Sequence, residues 1–77
     1  MNNVNLYTTA SCSYCHMAKE YLDDKGIKYK EIDISNSLEA TNWVINHTGQ
    51  AGVPVTDFDG NIVVGFDRQK IDDALKQ

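Results

Sequence analysis

The sequence predicts an α/β fold, a four-stranded mixed sheet built in the order β-α-β-α-β-β-α and flanked by three helices. Three observations carry that reading. A short apolar run, Val4-Asn5-Leu6-Tyr7, leads directly into a helical pattern over residues 13–25. A second helical pattern ends at Gly49, a natural C-terminal stop. Asp59-Gly60 then stands between two β-rich runs, the strongest short hairpin signal in the chain.

The first strand is read over residues 4–8. Cys12 is placed as the N-cap of the first helix, with Ser13 as its first helical residue. Cys15, Ala18 and Leu22 then fall on one stripe, and Gly26 stops the helix. Residues 27–34 alternate imperfectly and read as a second strand ending at Asp33 or Ile34. Asn36 followed by Glu39 is a capping-box pattern, opening a helix that runs to about Thr48. Residues 55–58 and 62–64 form the hairpin. Asp67 is an N-cap for the last helix, whose buried stripe is Ile71, Ala74 and Leu75. Strands one and two, joined through a helix, should be parallel, and the hairpin should return antiparallel to strand one.

Seventy-seven residues make one domain, 1–77, with room for one modest core. A net charge of −4, with Lys and Arg spread along the chain, argues against nucleic acid and against an anionic membrane surface as partners. The opening Met1-Asn2-Asn3 puts no basic segment ahead of a long apolar one, and no stretch is long enough to cross a bilayer. A cytoplasmic protein is expected, and a monomer.

Cys12-Ser13-Tyr14-Cys15 contains the only two cysteines. Two thiols separated by two residues can close a small reversible disulfide. A helix N-terminus favours an anion, and the thiolate is the form of sulfur that attacks disulfides. Cys12 sits at the exposed tip and Cys15 faces the core, the asymmetry that a nucleophile and a resolving thiol require. In a reducing compartment such a pair is catalytic or metal-binding rather than structural. A zinc or copper site needs more ligands than two thiols; His16 is adjacent, but His47 lies on another element. Cys12 to His16 also matches the haem-attachment spacing, but small c-type cytochromes are exported and mostly helical, and this chain reads as having strands. His16 is expected to face solvent, with Tyr7, Tyr21 and Trp43 in packing roles. The acidic pairs Asp23-Asp24 and Asp72-Asp73 are expected on solvated helix surface.

Several short motifs stand in one order along nearly the whole chain: Leu6-Tyr7-Thr8, the cysteine pair, Ala18-Lys19, Lys25-Gly26, Gly52-Val53-Pro54 and Gly65-Phe66-Asp67. Each is weak alone, and the ordered set resembles the glutaredoxins and the small bacterial glutaredoxin-like proteins. The resemblance implies a thioredoxin-like fold in which Pro54 is cis and faces the cysteines. It implies that the Val53 backbone pairs with the cysteinyl part of glutathione. Tyr14 and the Gly65-Phe66-Asp67 turn would complete that site, the turn holding the γ-glutamyl end. The activity implied is glutathione-dependent thiol–disulfide exchange on disulfide-containing or glutathionylated proteins. Glutathione would act as cosubstrate, with no tightly bound cofactor and no metal.

Three positions depart from the usual pattern. Ser13 stands where proline usually follows the first cysteine, Thr9 where a lysine often precedes the motif, and Val64-Gly65 where Gly-Gly is usual. The Gly-Phe turn also resembles the ribonucleotide-reductase electron donors that draw on thioredoxin reductase, which keeps that alternative open. A second alternative is a glutathione-assisted iron–sulfur module bridging a dimer through Cys12, which the looser Ser13 loop would permit.

Overall fold

The computed structural model describes residues 3–76; Met1, Asn2 and Gln77 lie outside the described residues. The elements are β1 (Val4–Thr8), α1 (Ser13–Asp24), β2 (Lys30–Asp33), a 3₁₀ turn (Ile34–Asn36), α2 (Leu38–Thr48), β3 (Val55–Phe58), β4 (Asn61–Val64) and α3 (Arg68–Leu75). The sheet order is β2-β1-β3-β4. β1 runs parallel to β2, with Leu6 opposite Glu31, and antiparallel to β3, with Leu6 opposite Thr56. β3 and β4 pair as the hairpin expected. The fold is thioredoxin-like.

Side-chain alternation along β1 divides the core into two layers. Val4 and Leu6 pack with Phe58, Val63, Ala18 and Leu22 of α1, and Ile71 and Ala74 of α3. Tyr7 points the other way and packs with Val55, Ile34, and Ala40 and Val44 of α2. So α1 and α3 cover one face of the sheet and α2 covers the other. Trp43 stacks on Tyr7, with ring centroids 4.5 Å apart. Leu75, expected in the stripe of α3, is only half-buried.

The start of the second strand and the cap of α2 differ from the sequence reading, each for a hydrogen-bonding reason, whereas the second strand ends within the range read. The second strand begins at Lys30, not residue 27. The Ile27 amide donates to Leu22 O and the Gly26 amide to Asp23 O, both at 3.0 Å, with Gly26 at φ +71°. These bonds close the end of α1 in a Schellman arrangement and leave Ile27 no part in the ladder. The strand ends at Asp33, whose carboxylate accepts from the Ser35 amide at 2.9 Å and turns the chain into the 3₁₀ segment. The cap of α2 is Ser37 rather than Asn36: its Oγ accepts from the Ala40 amide at 3.0 Å, while Asn36 is held in the 3₁₀ turn. Glu39 still lies in the first turn, where a carboxylate suits the helix dipole.

The hairpin turn has both central residues at positive φ, Asp59 at +52° and Gly60 at +104°. That is the backbone of a type I′ turn, whose twist matches the strands it joins. Asp57 Oδ1 accepts from the Gly60 amide at 2.8 Å and fixes it.

Candidate active site

Cys12 is the N-cap of α1, and it caps with its own sulfur. Its backbone is extended (φ −90°, ψ 112°), and Sγ accepts from the Cys15 amide at 3.1 Å. The sulfur therefore stands where a Ser or Asp oxygen usually satisfies an orphan N–H. Backbone N–H groups and the aligned peptide dipoles at a helix N-terminus favour an anion at such a position. Cys12 is partly exposed and Cys15 is buried, and both are free thiols. Of the amides in the first turn of α1, that of Cys15 supplies this bond. Tyr14 stands out to solvent, 62% exposed, beside the pair.

Burial also separates the two thiols chemically. It pushes the Cys15 thiol up to about 12, with the hydrogen bond to Cys12 adding to the rise and the Thr9 backbone opposing it. Cys15 is therefore kept as S–H at neutral pH.

Two chain segments come to the thiols from elsewhere in the fold. The Val53–Pro54 peptide is cis. The Cys12 thiol donates to Val53 O at 3.8 Å, a long contact across 41 residues of sequence. The Gly65 amide donates to Pro54 O at 2.8 Å, tying the Gly65-Phe66-Asp67 turn to the Val53–Pro54 step. Gly65 has φ +80°, a conformation that side chains rarely adopt. Asp67 caps α3, its carboxylate accepting from the Lys70 amide at 3.2 Å. Cys12, Val53, Pro54 and Gly65 are thus linked contact by contact. Phe66 instead turns toward α1, edge-on to Tyr21 at 6.0 Å with the Arg68 guanidinium over its ring.

The sequence reading missed the polar ties behind these segments. The Tyr21 hydroxyl donates to Asp72 Oδ1 at 2.6 Å, and Lys25 Nζ lies 3.3 Å from the same oxygen. Asp72, expected as solvated surface, instead joins α1 to α3. Its carboxyl is held below the ordinary range, first by the Tyr21 hydroxyl. Lys19 Nζ lies 3.1 Å from Glu31 Oε2, which also accepts from the buried Thr8 hydroxyl at 2.9 Å. Neither cluster leaves a local spacing signal, because its hydrogen-bonded partners stand 12 to 51 residues apart in sequence. Among the described residues no three His, Cys, Asp or Glu side chains gather as a metal site. A groove of about 400 Å³ between β2 and α2, lined by Tyr7, Ile32 and Trp43 among others, contains neither cysteine.

The Glutaredoxin family model matches residues 4–63. The chain is 32% identical over 74 residues to an uncharacterized glutaredoxin-like 8.6 kDa protein in the rubredoxin operon of Clostridium pasteurianum, covering 96% of this chain and 99% of that one. It is 34% identical over 67 residues to glutaredoxin 3 of Escherichia coli strain K12, covering 87% and 81% respectively. Among solved structures, the thioredoxin-like protein BC3987 aligns with a TM-score of 0.85 at 26% identity, over 94% of this chain and 99% of that one. Two more distant structures share the fold. NrdH-redoxin of Escherichia coli has a TM-score of 0.81 at 22% identity, covering 92% of each chain. A buckwheat glutaredoxin–glutathione complex has 0.76 at 24%, covering 91% of this chain and 68% of that one.

Proposed function

The chain belongs to the glutaredoxin family and is a thiol–disulfide oxidoreductase, and on that premise we propose that Cys12 and Cys15 are its reacting thiols and glutathione its reductant. The observation that carries the reading is the position of Cys12 Sγ, partly exposed at the start of α1 and bonded to the Cys15 amide. In this reading Cys12, as thiolate, attacks a substrate disulfide and forms a mixed disulfide with one of its sulfurs. Cys15 then attacks Cys12 Sγ, releasing the reduced substrate and leaving a Cys12–Cys15 disulfide. Two glutathione thiols reduce that disulfide in turn. A glutathionylated substrate needs only Cys12, because a second glutathione can take the place of Cys15.

The glutathione assignment draws on backbone geometry. Val53 presents its carbonyl toward Cys12, and the Pro54–Gly65 bond sets the next turn alongside. A tripeptide would pair with Val53, with Tyr14 as an exposed wall, and place its γ-glutamyl end against the Gly65-Phe66-Asp67 turn, where the Phe66 and Asp67 amides stand at the start of α3. The buckwheat relative, of the same fold, was solved with glutathione. In this reading the protein works as a monomer in the cytoplasm on disulfide-bonded or glutathionylated proteins, without a tightly bound cofactor.

Thr9, in place of a lysine, and the Gly65-Phe66 turn favour a second reading, an electron donor served by thioredoxin reductase; NrdH-redoxin shares the fold. NADPH consumption separates the two. Glutathione with glutathione reductase should sustain turnover on a disulfide substrate. Turnover with thioredoxin reductase alone, and none with glutathione, would contradict the first reading and establish the second.

A further inference from the structure

Lys19 follows Cys15 by four residues on α1, so the two side chains share one helix face with Cβ atoms about 5–6 Å apart. Lys19 is not free to swing into solvent. Its ammonium lies 3.1 Å from Glu31 Oε2 on β2, and its side chain is only 26% exposed. Glu31 is itself anchored, because the same oxygen accepts from the Thr8 hydroxyl at 2.9 Å. Thr8 is buried at the end of β1, one residue before Thr9, whose backbone contacts the Cys15 sulfur. The ion pair is therefore built into the seam between α1 and the β1–β2 edge, on the side of the helix that carries the buried thiol.

We propose that Lys19 is a positioning residue for the resolving step: its ammonium, held in place by Glu31 and Thr8, stabilises the negative charge that builds on Cys15 Sγ as it attacks the mixed disulfide. This rests on the assignment of Cys15 as the resolving thiol. A buried thiol held as S–H is a poor nucleophile, and something must favour its ionised form at the moment of attack. The charged groups around it are few. Cys12 opposes ionisation, Lys19 favours it, and Glu31, with Asp33 beyond it, faces Lys19. Glu31, on β2, offsets part of the Lys19 charge while fixing where the ammonium sits. In the step itself the Cys15–Cys12 bond forms, the bond from Cys12 to the substrate sulfur breaks, and the electron pair leaves on that sulfur. The proton lost by Cys15 is balanced by the one the departing thiolate gains through solvent.

The test compares the parent protein with Lys19→Met, Lys19→Arg and Cys15→Ser. Each is assayed between pH 6 and 9 for reduction of a protein disulfide and for deglutathionylation of a glutathionylated peptide. Across a largely aqueous path, a unit charge a few ångströms away changes an ionisation equilibrium by roughly fivefold. Lys19→Met should slow protein-disulfide reduction by about fivefold at neutral pH and move its profile to higher pH, and Lys19→Arg should restore both. Deglutathionylation should stay within about twofold. An unchanged rate and profile in Lys19→Met, or an equal fall in both activities, overturns the inference. If Cys15→Ser reduces the protein disulfide as fast as the parent, the resolving role fails and this inference with it. Loss in Cys15→Ser without any change in Lys19→Met overturns only the role of Lys19.

Discussion

Asp67 illustrates how one residue serves the fold and the proposed ligand together. Its carboxylate caps α3 by accepting from the Lys70 amide, and its backbone belongs to the turn tied to Pro54 through Gly65. Asp67→Ala should cost about 1 kcal/mol of stability through the lost cap. It should also raise the KM for glutathione, because the turn that would hold the γ-glutamyl end loses its fixed geometry. Asp67→Asn keeps a capping oxygen while removing the charge. Denaturant unfolding should therefore leave Asn close to the parent, and the glutathione KM of the two variants shows how much of the effect is charge. A KM unchanged in both variants would take the turn out of the ligand site. The places of Cys12 and Asp67 as helix caps and of Cys15 on the buried stripe were legible in the sequence as local signals, whereas Val53, Pro54 and Gly65 entered the proposed site through the family resemblance. Phe66 was placed in the ligand turn by resemblance, and the packing of its ring on Tyr21 was not foreseen. A contact across 45 residues of sequence leaves no local pattern.

At the scale of elements, α1 holds the thiols and α3 follows the turn beside them, so their mutual position sets the site. Tyr21 joins them: its hydroxyl bonds Asp72, its ring packs against Phe66, and Lys25 and Arg68 lie over its face. Tyr21→Phe keeps the ring and removes the bond. The Asp72 carboxyl should then titrate closer to its ordinary value, followed by side-chain carboxylate NMR, and the amide shifts of Phe66 and Asp67 should move with it. An Asp72 titration identical to the parent would show that the hydroxyl does not hold the two helices. The helices themselves were readable from apolar stripes and caps, and the hairpin from Asp59-Gly60. The boundaries around β2 were not, because they depend on where backbone donors are spent. Ile27 closes α1 and Ser37 rather than Asn36 caps α2, and both choices follow from three-dimensional hydrogen bonding that residue type alone leaves open.

For the whole molecule, stability should fall at both ends of the pH scale for different reasons. Glu31, Asp33 and Asp72 are held below their ordinary values, Glu31 first by Lys19, Asp33 by Ser35 and Asp72 by Tyr21. Groups lowered in the folded state contribute stability that is present above the unfolded value and lost as pH falls through the folded one. The loss should therefore appear below about pH 4.5, the ordinary value for Glu, and deepen as acidity increases. Cys15 works in the opposite sense. Its thiol is raised from 9.0 to about 12, so its contribution is intact below pH 9 and is lost as pH climbs from there toward 12. Chemical unfolding of the reduced Cys12→Ser protein should show that alkaline loss, and a Cys12→Ser, Cys15→Ala protein should show less of it. Equal alkaline loss in the two would mean that Cys15 is not held as a buried thiol. The central claim is the division of labour between the two sulfurs, one capping α1 and partly exposed, the other buried. It is tested most directly by assaying Cys12→Ser and Cys15→Ser side by side against a protein disulfide and a glutathionylated substrate, with glutathione as reductant. The account predicts that Cys12→Ser loses both activities, whereas Cys15→Ser loses protein-disulfide reduction and keeps deglutathionylation. Equal loss of both activities in both variants would contradict it.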